Sequence, residues 1–441
     1  MPHKAFLVGI FSQPEEAAAA EELVNELAEL ADTLEMEVVG SRVVRIREPN
    51  PKLLVGEGKA QEIVQLAENA EADVIVFDDF LTPSQQRNWE QLSSLAVIDR
   101  QEVILDIFAA HAKTNEATLQ VQLAQANYSL PRLKRRWTHL NRQGGKAGGM
   151  GAKGEGEQQL EIDSRVIRNN IAKLKRQLEE VQQHRKIQRA KRLRKPVPVA
   201  AIVGYTNAGK SSLLNAMTHA GVLSENKLFA TLDPTVRRFR LPGGQDILLA
   251  DTVGFIRKLP HTLVEAFKST LEETALADFI IEVCDASAAG LDDRHETTLN
   301  VLDEIGAGDK PIVMVLNKMD LVTEPIEINR LKARYPDAVF ASTVTGVGLD
   351  ELAERVEAFV DAESKVFSLV IPHDRYGCVT QIRANCSIIS EEYDNDGVHL
   401  SVKAPKSQWS FFANSIEAKN SGSSGFAGRS EKDFPEHPVP P

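Results

Sequence analysis

The fold of this 441-residue chain is decided by one stretch, Gly204-Tyr205-Thr206-Asn207-Ala208-Gly209-Lys210-Ser211. The stretch matches G-x-x-x-x-G-K-[ST], follows an apolar run and precedes a helical pattern at residues 212–220. Glycines let the backbone wrap around phosphate groups, and N–H groups at the start of a helix supply positive potential. The stretch therefore predicts a P-loop nucleoside triphosphate site.

Apolar runs alternate with helical patterns on both sides of this loop, as a doubly wound parallel α/β sheet requires. The runs occupy residues 197–203, 246–250, 279–284, 311–316 and 338–341. Pro196 and Pro198 break the helix that comes before them. We therefore expect a nucleotide-binding domain at residues 196–362.

Three later elements, each directly after an apolar run, narrow the base to guanine. Asp251-Thr252-Val253-Gly254 places a carboxylate near a metal ion and a glycine N–H beside a γ-phosphate. In Asn317-Lys318-Met319-Asp320, the last carboxylate can accept hydrogen bonds from N1–H and the 2-amino group of guanine, a donor pair that adenine lacks. Ser342-Thr343 can offer backbone N–H groups to the base O6. The carboxyl ends of parallel strands meet at one edge of a sheet, so these elements together predict a GTP site.

Residues 1–115 predict a small α/β domain, because strand-like runs at 4–11 and 72–78 alternate with helical patterns. Gly56-Glu57-Gly58-Lys59 is interpreted as a turn before a helix, since it lacks the rest of a phosphate-loop fingerprint. A second nucleotide site there is the less favoured alternative.

Residues 116–195 predict an antiparallel helical hairpin. Apolar residues at alternating spacings of four and three form a seam on each side of a glycine-rich stretch, residues 144–156. We expect that stretch to lack regular structure, and Pro131 to interrupt the first helix. The seam positions are Leu119, Leu123, Ala126, Leu130, Leu133, Trp137 and Leu140, then Leu160, Ile167, Ile171, Leu174, Leu178 and Val181.

Charge is distributed unevenly along the chain, whose net charge is −12. Residues 132–195 carry 19 Lys and Arg against 6 Asp and Glu, a net charge of +13 within an acidic protein. Such residues are often only the solvated face of a helix, but this one-sided excess favours binding to a polyanion.

The remaining features of the sequence concern the C-terminal region and the cellular location of the protein. Residues 363–413 predict a small strand-rich α+β domain, with strands at 366–371, 378–388 and 397–402, and residues 414–441 predict a disordered tail. Apolar content of 42% and three scattered cysteines indicate a cytoplasmic protein without a transmembrane segment, a disulfide framework or a zinc site. We expect the protein to be monomeric. Peripheral association with a membrane is left open.

The sequence resembles the HflX-type ribosome-associated GTPases from about residue 40 to about residue 405. The resemblance is carried by residues 251–273, by Leu228-Phe229-Ala230-Thr231-Leu232-Asp233-Pro234-Thr235, and by residues 99–112 with 119–125. It implies a G domain that binds GTP and GDP, and binding to RNA of the large ribosomal subunit. It also implies a role in separating or rescuing stalled ribosomes. The chain departs from the family's usual pattern in its glycine-rich loop and at Ser342-Thr343-Val344, where Ser-Ala-Lys is usual.

Roles for individual residues follow from the motifs and the resemblance. Lys210 is predicted to contact the β- and γ-phosphates, Ser211 to ligate Mg²⁺ and Asp251 to act on Mg²⁺ through water. The resemblance implies that Thr231 closes on Mg²⁺, with Thr235 as the alternative. The residues predicted to contact nucleotide are Gly204, Tyr205, Thr206, Asn207, Ala208, Gly209, Lys210, Ser211, Phe229, Ala230, Thr231, Leu232, Asp233, Asp251, Thr252, Val253, Gly254, Asn317, Lys318, Met319, Asp320, Ser342, Thr343 and Val344.

The predicted catalytic residues are Lys210, Thr231 and Gly254. Two further positions, Phe255 and Asn207, bear on the rate of hydrolysis. Phe255 stands where Ras-like proteins place a water-orienting Gln, so intrinsic hydrolysis should be slow. Asn207 either holds K⁺, as its counterpart does in potassium-dependent GTPases, or is a plain polar loop residue. Two other classes of function stay open, namely a binding module that signals to a protein partner and an ATP-driven RNA-remodelling enzyme.

Overall fold

The computed structural model describes residues 3–133, 152–192, 197–218, 228–229, 235–258, 274–362, 364–385, 387–395 and 397–405. The chain forms two compact units. One consists of Met1–Ala190, Val199–Phe239 and Ile247–Arg355. The other consists of Lys191–Pro198, Arg240–Asp246 and Val356–Pro441. Within the described ranges, no helix is both long and apolar enough to cross a membrane.

The N-terminal region is a four-stranded parallel sheet covered by helices. Its strands are β1 (Lys4–Phe11), β2 (Glu37–Arg45), β3 (Val74–Phe77) and β4 (Ala96–Asp99), in the order β2-β1-β3-β4. Its helices are α1 (Ala17–Thr33), α2 (Glu57–Asn69), α3 (Pro83–Ser93) and α4 (Arg100–His111). All four residues of β3 are buried, as expected for a strand with both faces covered. Gly56 is the N-cap of α2, so the prediction of a turn before a helix is confirmed.

Two helices follow, α5 (Asn115–Ser129) and α6 (Ala152–Arg192). They pack through the predicted seam, where Leu119, Leu123 and Leu174 form a buried cluster. Pro131 lies in the short 3-10 turn Leu130–Arg132 that ends α5, which confirms the predicted interruption.

The start of α6 corrects the prediction for the glycine-rich stretch. Residues 152–156 were expected to lack regular structure, but they form the first turn of α6. Each glycine costs a helix only about 1 kcal/mol, and the strong helix formers that follow can offset that cost. Residues 144–151 and the seam positions Trp137 and Leu140 lie outside the described ranges.

The central domain is a six-stranded sheet in the order β10-β9-β8-β5-β7-β6. The strands are β5 (Val199–Val203), β6 (Thr235–Arg240), β7 (Asp246–Asp251), β8 (Phe279–Asp285), β9 (Ile312–Asn317) and β10 (Val339–Phe340). The five strands from β10 to β7 pair in parallel. The helices are α7 (Lys210–Thr218), α8 (Leu291–Glu304), α9 (Pro325–Arg334) and α10 (Leu349–Ala362). The predicted α/β fold class is confirmed.

The C-terminal region is a three-stranded antiparallel sheet with one helix. Its elements are β11 (Ser364–Ile371), α11 (Tyr376–Asn385), β12 (Ser387–Tyr393) and β13 (Val398–Pro405), with strand order β11-β13-β12. The prediction of a strand at residues 378–388 is wrong for most of that range. Val379 and Ile382 are three residues apart and both buried, which is the spacing of a helix face on a sheet. Residues 406–441, including the predicted tail, lie outside the described ranges.

Candidate nucleotide-binding site

Two glycines give the P-loop a path that no other residue could follow. Gly204 has a φ of +141°, and a Cβ there would lie 2.1 Å from the carbonyl oxygen of Val283 on β8. Gly209 has a φ of +96°, and a Cβ there would lie 2.2 Å from the Asn317 side-chain nitrogen. Both φ values are strained for residues with side chains. The loop is therefore held tightly between the carboxyl ends of β5, β8 and β9.

Lys210, the first residue of α7, is almost fully buried at the centre of this loop. Its ammonium group donates hydrogen bonds to the carbonyl oxygens of Gly204 and Tyr205, at 3.1 and 2.8 Å. Burial lowers the pKa of Lys210 to about 8, and nearby Asp251 opposes that shift. Burial disfavours the charged form of this lysine, and an additional negative charge beside it would stabilise that form. The ammonium group is therefore suited to bind a phosphate oxyanion.

Two of the three residues predicted to hold a metal ion lie together. The Ser211 hydroxyl donates to the Asp251 carboxylate at 2.7 Å, and Asp251 is fully buried at the end of β7. A hydroxyl and a carboxylate are hard oxygen donors of the kind that Mg²⁺ prefers. These two side chains therefore fit the ion, whereas the third predicted ligand, Thr231, lies outside the described ranges.

The segment after Asp251 lies directly against the P-loop. A Cβ on Gly254 would come within 2.8 Å of the Thr206 Cα and 2.9 Å of the Lys210 Nζ, so only glycine permits this approach. Phe255 pairs with the loop through its backbone: its N–H donates to Gly204 at 3.1 Å, and its carbonyl accepts from Thr206 at 2.7 Å. The pairing places Gly254 beside the lysine predicted to contact the γ-phosphate. Thr252 and Val253 are buried, and the Thr252 hydroxyl donates to the carbonyl of Ile202.

The Phe255 side chain belongs to the core of the central domain. It is 1% exposed and packs with apolar residues that include Val203, Ile280 and Leu302. The side chain therefore lies in the core, and an apolar ring has no group that could orient an attacking water.

We expect Phe255→Leu to leave the slow intrinsic rate of GTP hydrolysis near that of the wild type, because it keeps an apolar side chain in the core. Phe255→Ala is unsuited to this test, because emptying such a site costs about 3–5 kcal/mol of folding stability. The measurement is single-turnover hydrolysis together with thermal unfolding. A hundredfold slower rate in a stably folded Phe255→Leu variant would give Phe255 a direct catalytic role.

The elements predicted to recognise the base are joined to the P-loop by the buried side-chain amide of Asn317. Asn317, at the end of β9, donates from Nδ2 to the carbonyl of Ala208 at 3.0 Å. Its Oδ1 accepts from the backbone N–H of Thr343 at 3.1 Å. Asn317 thus fixes the distance between the phosphate loop and the loop expected to contact the base O6.

The carboxylate predicted to read the base is held in place by a second contact. Asp320 accepts a hydrogen bond from the buried Ser342 hydroxyl at 2.5 Å. Lys318 has a φ of +63° and forms an ion pair with Asp285 at 2.7 Å. Asp285 ends β8 and was not singled out from the sequence, although its place at a strand's carboxyl end was the available signal. Met319 follows directly in this turn, whereas Val344 is 83% exposed.

The middle of the P-loop borders a cavity of about 200 Å³. Asn207 lines this cavity with a φ of +60°, a conformation that Asn tolerates better than most residues. The other lining residues are Glu26, Glu29, Tyr205, Thr206, Leu228, Asp285, Ala288 and Arg294. Three carboxylates and one arginine give the cavity an acidic character.

Most of the predicted switch segment lies outside the described ranges, namely Ala230, Thr231, Leu232 and Asp233. Phe229 is placed, and its backbone N–H donates to the Thr206 hydroxyl at 3.1 Å. Its ring is buried against Phe108 of α4, with ring centroids 4.7 Å apart. The side chain of Phe229 therefore packs on the N-terminal region.

Several families and proteins are similar to this chain. Successive parts of the chain match models of a GTP-binding GTPase N-terminal region (residues 21–109), a GTP-binding GTPase middle region (residues 111–192) and a 50S ribosome-binding GTPase (residues 199–318). A GTP-binding protein from the archaeon Sulfolobus solfataricus, solved in complex with GDP, is 25% identical with a TM-score of 0.41, over 81% of this chain and 98% of that chain.

Full-length relatives give the clearest match. The GTPase HflX of Akkermansia muciniphila is 46% identical over 414 residues, which cover 92% of this chain and 95% of that protein. The GTPase HflX of Escherichia coli is 42% identical over 375 residues, which cover 84% and 86% of the two chains. The P-loop, the ordered strand-end motifs and these matches lead to one conclusion: the chain is a GTP hydrolase that belongs to the HflX family of GTPases.

Proposed function

We propose that this GTP hydrolase binds the large ribosomal subunit and couples GTP binding and hydrolysis to the dissociation or rescue of ribosomes under stress. The single observation that supports the large ribosomal subunit as the partner is a positively charged face on α6. The match of residues 199–318 to a 50S ribosome-binding GTPase model supports the same partner.

The positive face is formed by four exposed side chains. At about 100° per residue, Arg165, Arg168, Lys175 and Arg176 fall within one stripe of α6, opposite the buried Leu174 that packs on α5. The exposed Glu179 lies in the same stripe, which leaves it with an excess of positive charge. A stripe of exposed cations on a long helix matches the regular negative charge of a nucleic acid backbone. The basic side chains from residue 184 onward lie outside the described ones.

The chain also offers a short connection from this surface to the nucleotide site. Residues 193–198 alone separate the end of α6 from β5, the strand that leads directly into the P-loop. Binding of RNA along α6 can therefore bias the position of β5, and a partner can complete a catalytic site that lacks a water-orienting Gln.

We expect reversal of the stripe, Arg165, Arg168, Lys175 and Arg176 all to Glu, to weaken binding to purified large subunits by at least about a hundredfold at physiological salt. Each phosphate contact contributes about 0.7 to 0.9 log units of affinity per decade of salt, and four contacts are lost. The measurement is co-sedimentation with large subunits over a range of salt concentrations, in the presence of a non-hydrolysable GTP analogue. The slope of affinity against salt should fall as well.

The matched control changes the same net charge elsewhere. Four exposed basic residues on α9 and α10 serve for this control, namely Arg330, Lys332, Arg334 and Arg355. Their reversal to Glu should leave ribosome binding near that of the wild type. Equal losses in both variants would contradict the stripe as the contact and indicate a general effect of net charge. Binding that survives ribonuclease digestion of the subunits would instead favour a protein partner.

The coupling to dissociation is tested with assembled ribosomes. Light scattering of 70S particles should fall when the protein is added with GTP or its non-hydrolysable analogue, and should not fall with GDP. Binding without any change in scattering would leave a ribosome-bound GTPase and would contradict the dissociation role.

We also propose Mg²⁺ as the cofactor, held by the Ser211 hydroxyl directly and by the Asp251 carboxylate through water, with Thr231 as the switch ligand. The 2.7 Å contact between the Ser211 hydroxyl and the Asp251 carboxylate supports the first two assignments. Bound Mg²⁺ would supply charge neutralisation on the β- and γ-phosphates.

For K⁺, the proposed ligand is Asn207, and the acidic lining of the adjoining cavity supports a cation there. We expect replacement of K⁺ by Na⁺ to slow GTP turnover several-fold. Asn207→Gly is the informative variant, because glycine tolerates the left-handed backbone and the change removes the whole side chain, including the amide. That variant should turn over equally in the two salts. Equal turnover of the wild-type protein in K⁺ and in Na⁺ would contradict K⁺ binding and leave Asn207 with only a conformational role.

A further inference from the structure

One hydroxyl group of the P-loop connects three segments that are distant in sequence. The Tyr205 hydroxyl donates a hydrogen bond to the carboxylate of Glu26 on α1, and it accepts one from the backbone N–H of Arg257 at 2.7 Å. Tyr205 and Glu26 are both 5% exposed. The N-terminal helix α1, the P-loop and the segment after Gly254 therefore meet at a single polar group.

A buried arginine holds the Glu26 carboxylate in position. Arg100 is 0% exposed at the start of α4 and donates to Glu26 with one nitrogen and to Asp78 at 2.7 Å with another. The other Asp78 oxygen accepts from Lys258 at 2.7 Å. One guanidinium thus aligns two carboxylates of the N-terminal region, Glu26 on α1 and Asp78 directly after β3, and each directs its second oxygen to the central domain.

The charges at this contact compensate one another. Burial raises the pKa of Asp78 to about 6, although Lys258 opposes the shift. Burial alone would lower the pKa of Lys258, but Asp78 and Asp79 outweigh it and raise that pKa. Burial also lowers the pKa of Arg100 to about 10. The groups stay ionised near pH 7 because each has an opposite charge in contact, which makes the arrangement sensitive to removal of one partner.

The surroundings of this polar group are apolar and closely packed. One buried apolar cluster contains residues of both regions. The central domain contributes Val253, Ile256, Leu228 and Phe229, and the N-terminal helices contribute residues that include Leu27 and Phe108. Hydrogen bonds inside such a cluster are stronger and more rigid than hydrogen bonds at a wet surface. Glu26 therefore acts on the P-loop through a contact with little freedom to move.

This contact bears on the atoms that meet the γ-phosphate. The backbones of Tyr205 and Phe255 are paired. Gly254, the residue before Phe255, lies beside Lys210. Fixing both the Tyr205 hydroxyl and the Arg257 N–H sets the separation of the P-loop from Gly254. A displacement of about 1 Å in such groups can cost about a hundredfold in rate.

We propose that Glu26 is a positioning residue for GTP hydrolysis, acting through the Tyr205 hydroxyl and the Arg257 backbone to hold the P-loop and Gly254 at their working distance. The residue lies about 180 positions before the P-loop in sequence, and it also lines the cavity that borders Asn207.

The test compares Tyr205→Phe and Glu26→Gln with wild-type full-length protein in GTP turnover. Tyr205→Phe removes only the hydroxyl and leaves Glu26 paired with Arg100, so the fold should be preserved. We expect kcat to fall at least about tenfold in each variant while KM for GTP stays within about twofold. The loss in the Tyr205→Phe/Glu26→Gln double variant should be smaller than the product of the two single losses, because both changes act on the shared contact between Tyr205 and Glu26.

Glu21→Gln is the matched control, since Glu21 is an exposed carboxylate on the same helix, and its kcat should not change. Thermal unfolding of all variants separates a positioning effect from loss of fold, and Tyr205→Phe stays informative if Glu26→Gln is unstable. An unchanged kcat in folded Tyr205→Phe would overturn the proposal. A faster rate would also overturn it, as would losses that add fully in the double variant.

Discussion

Lys210→Ala is expected to reduce GTP hydrolysis by at least about a thousandfold, both alone and with ribosomes. The ammonium group is buried beside Gly254, and Asp251 is the nearby charge that opposes the fall in its pKa. Positioned charges of this kind are worth roughly a hundred- to a thousandfold in rate, and the lysine also contributes to binding the phosphates. Single-turnover hydrolysis at saturating GTP, with GTP affinity determined separately, measures the effect.

Ser211→Ala should be similarly inactive, because it removes the hydroxyl that contacts Asp251. The matched control is Ser212→Ala, which makes the same chemical change at the next position of α7 and should stay near the wild-type rate. Hydrolysis within tenfold of wild type by a folded Lys210→Ala protein would refute the assigned phosphate site.

Asp320→Asn is expected to change the preferred base from guanine to xanthine. The carboxylate is oriented by Ser342 at 2.5 Å, beside the loop that Asn317 ties to the P-loop. The substituted amide can accept from only one of the two guanine donors, whereas its N–H₂ group can donate to the 2-oxo group of xanthine. Hydrogen bonds to charged groups are worth about 1.5–3 kcal/mol each, so guanine affinity should fall by about a hundredfold.

Competition between fluorescent GDP and unlabelled GDP, XDP or ADP measures the change. Asp309→Asn serves as the control, because Asp309 is an exposed carboxylate of the same domain and its amide should leave base preference unchanged. Unaltered guanine affinity in Asp320→Asn would show that another residue reads the base.

The nucleotide-binding half of this fold could be predicted from sequence because its signals are local. Gly204 and Gly209 are required by backbone angles at their own positions, and the later motifs each follow a buried strand. Parallel pairing then brings those strand ends together without further information. The same logic explains why Asp285 was within reach of prediction, since it also ends a strand of this sheet.

Other features depended on contacts that no local pattern encodes. Glu26 is one of several glutamates on an amphipathic helix, and only the folded chain distinguishes it, by burying it against Arg100 and Tyr205. At residues 378–388, the apolar composition was compatible with a strand, but packing of Val379 and Ile382 on the sheet decided for a helix. Local preference is weak where tertiary burial can override it.

We propose that this chain hydrolyses GTP in response to the large ribosomal subunit. The most direct test of this proposal is single-turnover hydrolysis of GTP and ATP by the full-length protein, with and without purified large subunits. GTP should be cleaved slowly by the protein alone and at least about tenfold faster with large subunits, as expected when a partner completes the catalytic site, and ATP should be cleaved in neither case. Equal GTP rates with and without large subunits, or comparable cleavage of ATP, would contradict the claim.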